Sequence, residues 1–290
     1  MFEGFDRRRV ETSGAVINLL VGGSGPPLLL LHGYPQTHVI WHKIAPALAE
    51  EFTVVAPDLR GYGDSSKPEG GADHVNYSKR AMALDQVETM AALGFDSFAF
   101  VGHDRGGRVG HRLALDHPER ITRLAVLDIA PTYFMYGTTD KEFATAYYHW
   151  FFLIQPFDFP ERLIGSDPEY YLTTQIRRGV VDPAAFAPEA MAEYVRFFCD
   201  PAAIHATCED YRAAATIDLA HDEADMGRKV TCPVLALWGA RGLVGRKYDV
   251  LAAWRERAET VSGEALDCGH YLPEEKPAET LAALRAFLLS

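Results

Sequence analysis

The chain has 290 residues, 48% of them apolar and 11% aromatic, the make-up of an ordinary globule with room for a large core. Its formal net charge of -12 excludes the basic stripe that a nucleic-acid surface needs, and apolar runs such as Leu28-Leu29-Leu30-Leu31 are far too short to span a membrane. Cys199, Cys208, Cys232 and Cys268 lie apart without metal-ligand spacing, and residues 1–9 lack the apolar stretch of a secretory leader. Both features suit a cytoplasmic protein with reduced thiols and no metal.

In chain order, residues 9–21 alternate around Ser13-Gly14 as an edge hairpin would. Residues 27–31 read as a buried strand that ends in His32-Gly33-Tyr34-Pro35, and residues 53–57 as another that leads into Asp58 and the turn at Gly61-Tyr62-Gly63. Residues 77–93 have helical apolar spacing, and residues 97–101 form a strand before Gly102-His103-Asp104-Arg105-Gly106. Two further strands follow at residues 124–127 and 234–238. Continuous apolar strands that alternate with helical stretches predict a mostly parallel sheet flanked by helices. Between about residues 132 and 224 the pattern changes to helical stretches rich in aromatics and prolines, with no clear strand. The expected organisation is a core of residues 1–131 and 225–290 with a helical cap of residues 132–224 inserted between two strands. No phosphate-binding loop is present, because Gly22-Gly23-Ser24-Gly25 lacks the lysine and helix that must follow.

The most informative segment is Gly102-His103-Asp104-Arg105-Gly106. A strand, a small-x-nucleophile-x-small turn and a helix make the context of a nucleophile elbow, with aspartate where serine is usual. A carboxylate needs no base to activate it. Its attack on carbon gives an alkyl ester that must then be hydrolysed. His270 follows a strand end and turn at residues 265–269, in the chain order expected of the base that activates water. Its orienting acid has two possible places. After residues 234–238 no carboxylate occurs until Asp249, whereas Asp128 directly follows residues 124–127, and Asp128 is assigned.

These residues resemble the α/β-hydrolase superfamily across the chain, through His32-Gly33-Tyr34-Pro35, the turn at residues 58–63, the Asp104 elbow and Gly269-His270. Within it, His103-Asp104-Arg105-Gly106-Gly107-Arg108 and His149-Trp150 are similar to the fluoroacetate and haloacetate dehalogenases. The resemblance implies an α/β-hydrolase fold with a cap, a small 2-haloacid substrate, no cofactor and a homodimer. It also implies roles for individual residues. Arg105 and Arg108, three apart and so able to face one volume, bind the substrate carboxylate. His149, Trp150 and Tyr211 donate hydrogen bonds to the departing halide, with Tyr133, Tyr147, Tyr148 and Tyr194 competing for the tyrosine's place. The backbone N–H groups of Tyr34 and Arg105 form an oxyanion hole. Tyr34 stands where the family pattern more often has phenylalanine. An epoxide hydrolase shares the aspartate nucleophile, but an epoxide carries no carboxylate for the arginines. A ligand-binding protein on the same fold, without catalysis, is the third reading, and the intact Asp104, Asp128 and His270 speak against it.

Overall fold

A computed structural model describes all residues from 1 to 290. Eight strands form one sheet: β1 (Phe5–Glu11), β2 (Val16–Gly22), β3 (Pro27–Leu31), β4 (Thr53–Pro57), β5 (Phe98–His103), β6 (Ile121–Leu127), β7 (Val234–Gly239) and β8 (Val261–Leu266). Their spatial order is β1-β2-β4-β3-β5-β6-β7-β8, antiparallel in the first two pairings and parallel from β4 onward.

The sheet separates two apolar layers because side chains alternate along each strand. Leu28 and Leu30 join a cluster of 21 buried residues on one face, while Leu29 and Leu31 join a cluster of 53 on the other, which runs on into the cap. All four leucines are fully buried, which is why the segment reads as a continuous apolar run. The hairpin starts earlier than its alternation suggests, at Phe5, since an edge strand can carry exposed Arg7, Arg8 and Arg9 while its backbone pairs with β2. β8 is the strand the apolar pattern shows least, because Val261-Ser262-Gly263-Glu264 packs only part of its surface at the other edge. The helix expected at residues 77–93 spans Lys79–Ala92 and starts where the Ser78 hydroxyl accepts from Ala81 N–H.

Between β6 and β7 the chain forms eight α-helices and one short 3₁₀ helix, with no strand. Pro160, Pro168, Pro188 and Pro201 sit in the first turns of four of those helices, where a missing N–H is harmless. All four cysteines are free, and no helix is long and apolar enough to cross a membrane. No group of three or more His, Cys, Asp or Glu could hold a metal ion.

Parallel pairing brings the carboxyl ends of the central strands side by side. Leu31 pairs with Gly102, His103 with Leu127, and Leu127 with Leu237. The segments that follow, at His32, Asp104, Asp128 and Gly239, therefore open on one crevice, the usual ligand edge of such a sheet.

Candidate active site

Asp104 lies between β5 and the helix Arg105–Asp116 with φ 47° and ψ -115°. Non-glycine residues rarely take this conformation, and it costs about 1–3 kcal/mol that the surrounding packing must hold. The tightness has visible causes. A Cβ on Gly106 would collide with the Leu31 and His32 carbonyls, and one on Gly33 would lie 2.6 Å from Asp104 Oδ1. Glycine at both positions lets the β3 loop close over the elbow, so that Tyr34 N–H donates to Asp104 Oδ1 at 2.9 Å. No matching hydrogen bond from Arg105 N–H is formed, so one of the two expected oxyanion donors is engaged.

Asp104 Oδ2 faces His270 Nε2 at 3.9 Å, and His270 Nδ1 meets Asp128 Oδ2 at 2.6 Å. Asp128 Oδ1 accepts from Gly239 N–H at 2.9 Å, at the end of β7. The two possible places for the acid thus lie at neighbouring strand ends, and Asp128 is the carboxylate against the histidine. Asp249 instead caps the helix Val250–Arg255. His103, just before the elbow, lies against His270 with ring centroids 4.6 Å apart and planes tilted by 50°, and bonds the His270 carbonyl through Nε2 at 2.8 Å.

Burial alone would raise the Asp104 carboxyl, but the charges of His270, Arg108 and Arg105 outweigh it and hold the group below the ordinary range. Burial would lower His270, yet the hydrogen bond and charge of Asp128, with the Asp104 charge behind them, raise it. His103 is pushed down to about 3 by burial and stays neutral.

A cavity of about 40 Å³ lies over Asp104 and His270, lined also by Tyr34, Tyr147, His149 and Tyr211. His149 is pressed down to about 3 by burial and is neutral. Gln175 Nε2 lies 2.9 Å from its Nδ1, so the amide donates there and the ring proton resides on Nε2, which has no protein acceptor. Tyr211 is fully buried, and its hydroxyl has no partner. Its ring centroid lies 5.2 Å from Tyr34, 5.6 Å from His149 and 6.5 Å from Trp150. Trp150 is buried and does not itself line the cavity. Among the competing tyrosines, Tyr147 lines the cavity, the Tyr194 hydroxyl donates to Glu274, Tyr148 lies under Arg178, and Tyr133 is exposed. The Tyr34 ring stacks on His149 at 5.8 Å, and its hydroxyl is turned to Tyr171 of the cap at 3.3 Å.

The two arginines do not share partners as their spacing suggests. Arg105 is fully buried and gives Nε and Nη2 to the Asp210 carboxylate at 3.0 and 2.7 Å, with Nη2 also on the Asp210 carbonyl. Arg108 donates to the Ala130 carbonyl and Thr132 hydroxyl and touches Met135. Neither lines the small cavity, but each keeps one buried nitrogen without a partner, Nη1 of Arg105 and Nε of Arg108. The Arg105 guanidinium lies 4.1 Å from the Tyr211 ring and that of Arg108 4.8 Å from the Trp150 ring.

Two partners carried no signal in the sequence. Gln175 is buried on the helix Pro168–Gly179, but between Thr173-Thr174 and Arg177-Arg178 in the sequence an amide looks like surface. Asp210 stands on the helix Pro201–Ala215 beside Glu209, an acidic pair that reads as a solvated face. It is in fact fully buried, and besides Arg105 it accepts from Tyr62 Oη at 2.7 Å and from Lys79 Nζ.

A strand–elbow–helix carrying Asp104 after β5, an acid after β6 and a histidine after β8 is the arrangement of an α/β-hydrolase site. The matching family model, described as the alpha/beta hydrolase fold, spans residues 26–277, and the chain belongs to that family. The chain is 50% identical over 289 residues to the fluoroacetate dehalogenase of a Burkholderia species, covering 99% of this chain and 95% of that one. It is 40% identical over 273 residues to the soluble epoxide hydrolase of Corynebacterium sp. strain C12, covering 91% of each. A crystal structure from Nostoc sp PCC 7120, described as an alpha/beta hydrolase, superimposes with a TM-score of 0.98 at 66% identity over 99% of both chains.

Proposed function

We propose that this protein is a haloacetate dehalogenase that converts a small 2-haloacid to the 2-hydroxyacid and halide. One observation carries the reading: the fully buried Tyr211 hydroxyl has no acceptor, beside a neutral His149 whose Nε2–H is equally free, in the cavity of a carboxylate nucleophile. A dry site with unsatisfied donors is costly unless a ligand completes it, and a departing halide is such an acceptor. The cavity, at roughly 40 Å³, admits only a small molecule.

In the proposed first step, Asp104 Oδ2 attacks the α-carbon and halide leaves toward His149, Trp150 and Tyr211. The substrate carboxylate is assigned to Arg105 and Arg108, whose Nη1 and Nε are buried donors without a partner, although neither arginine lines the cavity as it stands. Cation-π contact with Arg105 makes the Tyr211 hydroxyl a stronger donor. Oδ1 stays on Tyr34 N–H throughout and becomes the ester carbonyl oxygen. In the second step His270, oriented by Asp128, takes a proton from water, which attacks the Asp104 carboxyl carbon and develops the oxyanion on that same Oδ1. Collapse breaks the bond from that carbon to Oδ2, the hydroxyacid leaves with Oδ2 and the proton from His270, and Asp104 is regenerated with the water oxygen. Ester formation removes the Asp104 charge, one of the causes that raise His270, and so favours its basic form when the base is needed.

Epoxide hydrolysis is the second reading, favoured by the same free Tyr211 hydroxyl, which suits an epoxide oxygen. Halide release from fluoro-, chloro- and bromoacetate, measured beside styrene-oxide hydrolysis, separates the two. Halide release alone is expected, and diol formation without halide release overturns the dehalogenase reading. The same proposal includes a cytoplasmic homodimer. Phe157, Phe159, Leu163 and Tyr170, each more than half exposed within one stretch of the cap, support a self-association surface. Sedimentation of the protein as a monomer at micromolar concentration would remove that part.

A further inference from the structure

The small cavity over Asp104 shares Ala146, Tyr147, Arg178, Gly179 and His270 with a second, outer cavity of about 390 Å³. Three arginines line this outer space. Arg178 closes the cap helix Pro168–Gly179, while Arg241 and Arg246 come from the core segment after β7, so cations stand on both lips of the mouth. Arg241 is neutralised by Asp267 at 2.6 and 2.9 Å. Arg178 and Arg246 have no carboxylate partner: the first donates to the Thr145 carbonyl and lies over the Tyr148 ring, and the second donates to the Arg241 carbonyl at 2.6 Å. The nearby Glu275 carboxylate is engaged by the N–H groups of Val181, Gly269 and Tyr271. Two unpaired arginines thus outnumber the one remaining carboxylate, Glu275, at the mouth of a molecule whose formal net charge is -12.

We propose that the outer cavity is an anion-binding vestibule, which collects a small carboxylate ahead of Asp104 and through which the hydroxyacid and halide, both anions, leave. The proposal rests on the haloacid reading of the site. A molecule this acidic repels a carboxylate on average, so anion capture needs a local field of opposite sign. A cleft with low-dielectric walls concentrates such a field. Two unit charges about 8 Å from the anion in a water-filled cavity each change its local concentration about two- to threefold when salt is low.

The test is the kinetics of chloroacetate turnover between about 0.01 M and 1 M ionic strength, where screening runs from weak to nearly complete. The variant R178Q/R246Q is expected to lose about fivefold in kcat/KM at the low end, with kcat within about twofold, and to converge on the parent at the high end. R178K/R246K keeps both charges and should track the parent. R8Q/R9Q makes the same change in net charge on the exposed face of β1 and should also track it. If R178Q/R246Q shows the parent's kcat/KM and salt dependence, the vestibule is overturned while the dehalogenase reading stands. A parent that releases no halide at any ionic strength overturns the dehalogenase reading itself and the vestibule's substrate with it.

Discussion

Removing the Gln175 amide should cost fluoride release more than chloride release. His149 is neutral, pressed down to about 3, and its Nδ1 accepts from Gln175 at 2.9 Å, which places the remaining ring proton on Nε2 toward the cavity. In Gln175→Leu nothing fixes that tautomer. Where Nδ1 takes the proton, Nε2 presents a lone pair to a departing anion. The loss is bounded below by one buried hydrogen bond, about 1 kcal/mol, and above by an oxyanion-type donor, about 3 kcal/mol. Fluoride release should thus fall by about 5- to 150-fold. Chloride, larger and less dependent on solvation, should suffer less, and the fluoride-to-chloride rate ratio should drop about tenfold.

Gln175→Glu provides a control of opposite kind. A carboxylate at Nδ1 raises His149 from its low value, and only the imidazolium then has a proton on Nε2. Fluoride release by that variant should decline as pH rises through the new His149 pKa, a limb absent from the parent, whose His149 is neutral above about 3. An ion-selective electrode for fluoride and a colorimetric chloride assay across pH measure both. A Gln175→Leu enzyme with the parent's halide ratio refutes the reasoning.

Three further outcomes are expected. His270→Asn should release one equivalent of halide per site and stop, with the carboxymethyl ester on Asp104 detected by mass spectrometry; continued turnover would remove His270 from the hydrolytic step. The parent's ester hydrolysis should rise with pH as His270 loses its proton, because only the neutral ring can take the proton from water, and pre-steady-state kinetics from pH 5 to 9 checks the direction. Asp210→Asn should destabilise the fold by about 3–5 kcal/mol in chemical denaturation, since it strands the buried Arg105 and Lys79 without their shared carboxylate. Adding Lys79→Met should recover part of that loss, because one stranded charge is then gone.

The strands were legible wherever both sheet faces are buried, as in Leu28 to Leu31, and only in part at the edges. There β8 reads as polar, and β1 starts at Phe5 before its alternation becomes visible. The elbow was legible because its chemistry is local: a nucleophile between glycines needs neighbours only a few residues away. Asp128 could be placed after one strand without knowing that its competitor's place lies at the next, since parallel pairing makes adjacent strand ends neighbours.

What the sequence pointed to by itself was the reaction class, because an elbow aspartate that attacks a saturated carbon makes an ester. Tertiary structure decided how much of each side chain is free to act. Arg105 and Arg108 sit one helical turn apart, yet their guanidiniums turn to Asp210 and to residues 130–135, which leaves one nitrogen on each. Gln175 sets the His149 proton from 26 residues away, and Asp210 meets Arg105 from 105 residues away. Those pairings depend on how the cap folds back over the sheet, and spacing along one chain does not encode which buried donor has found an acceptor.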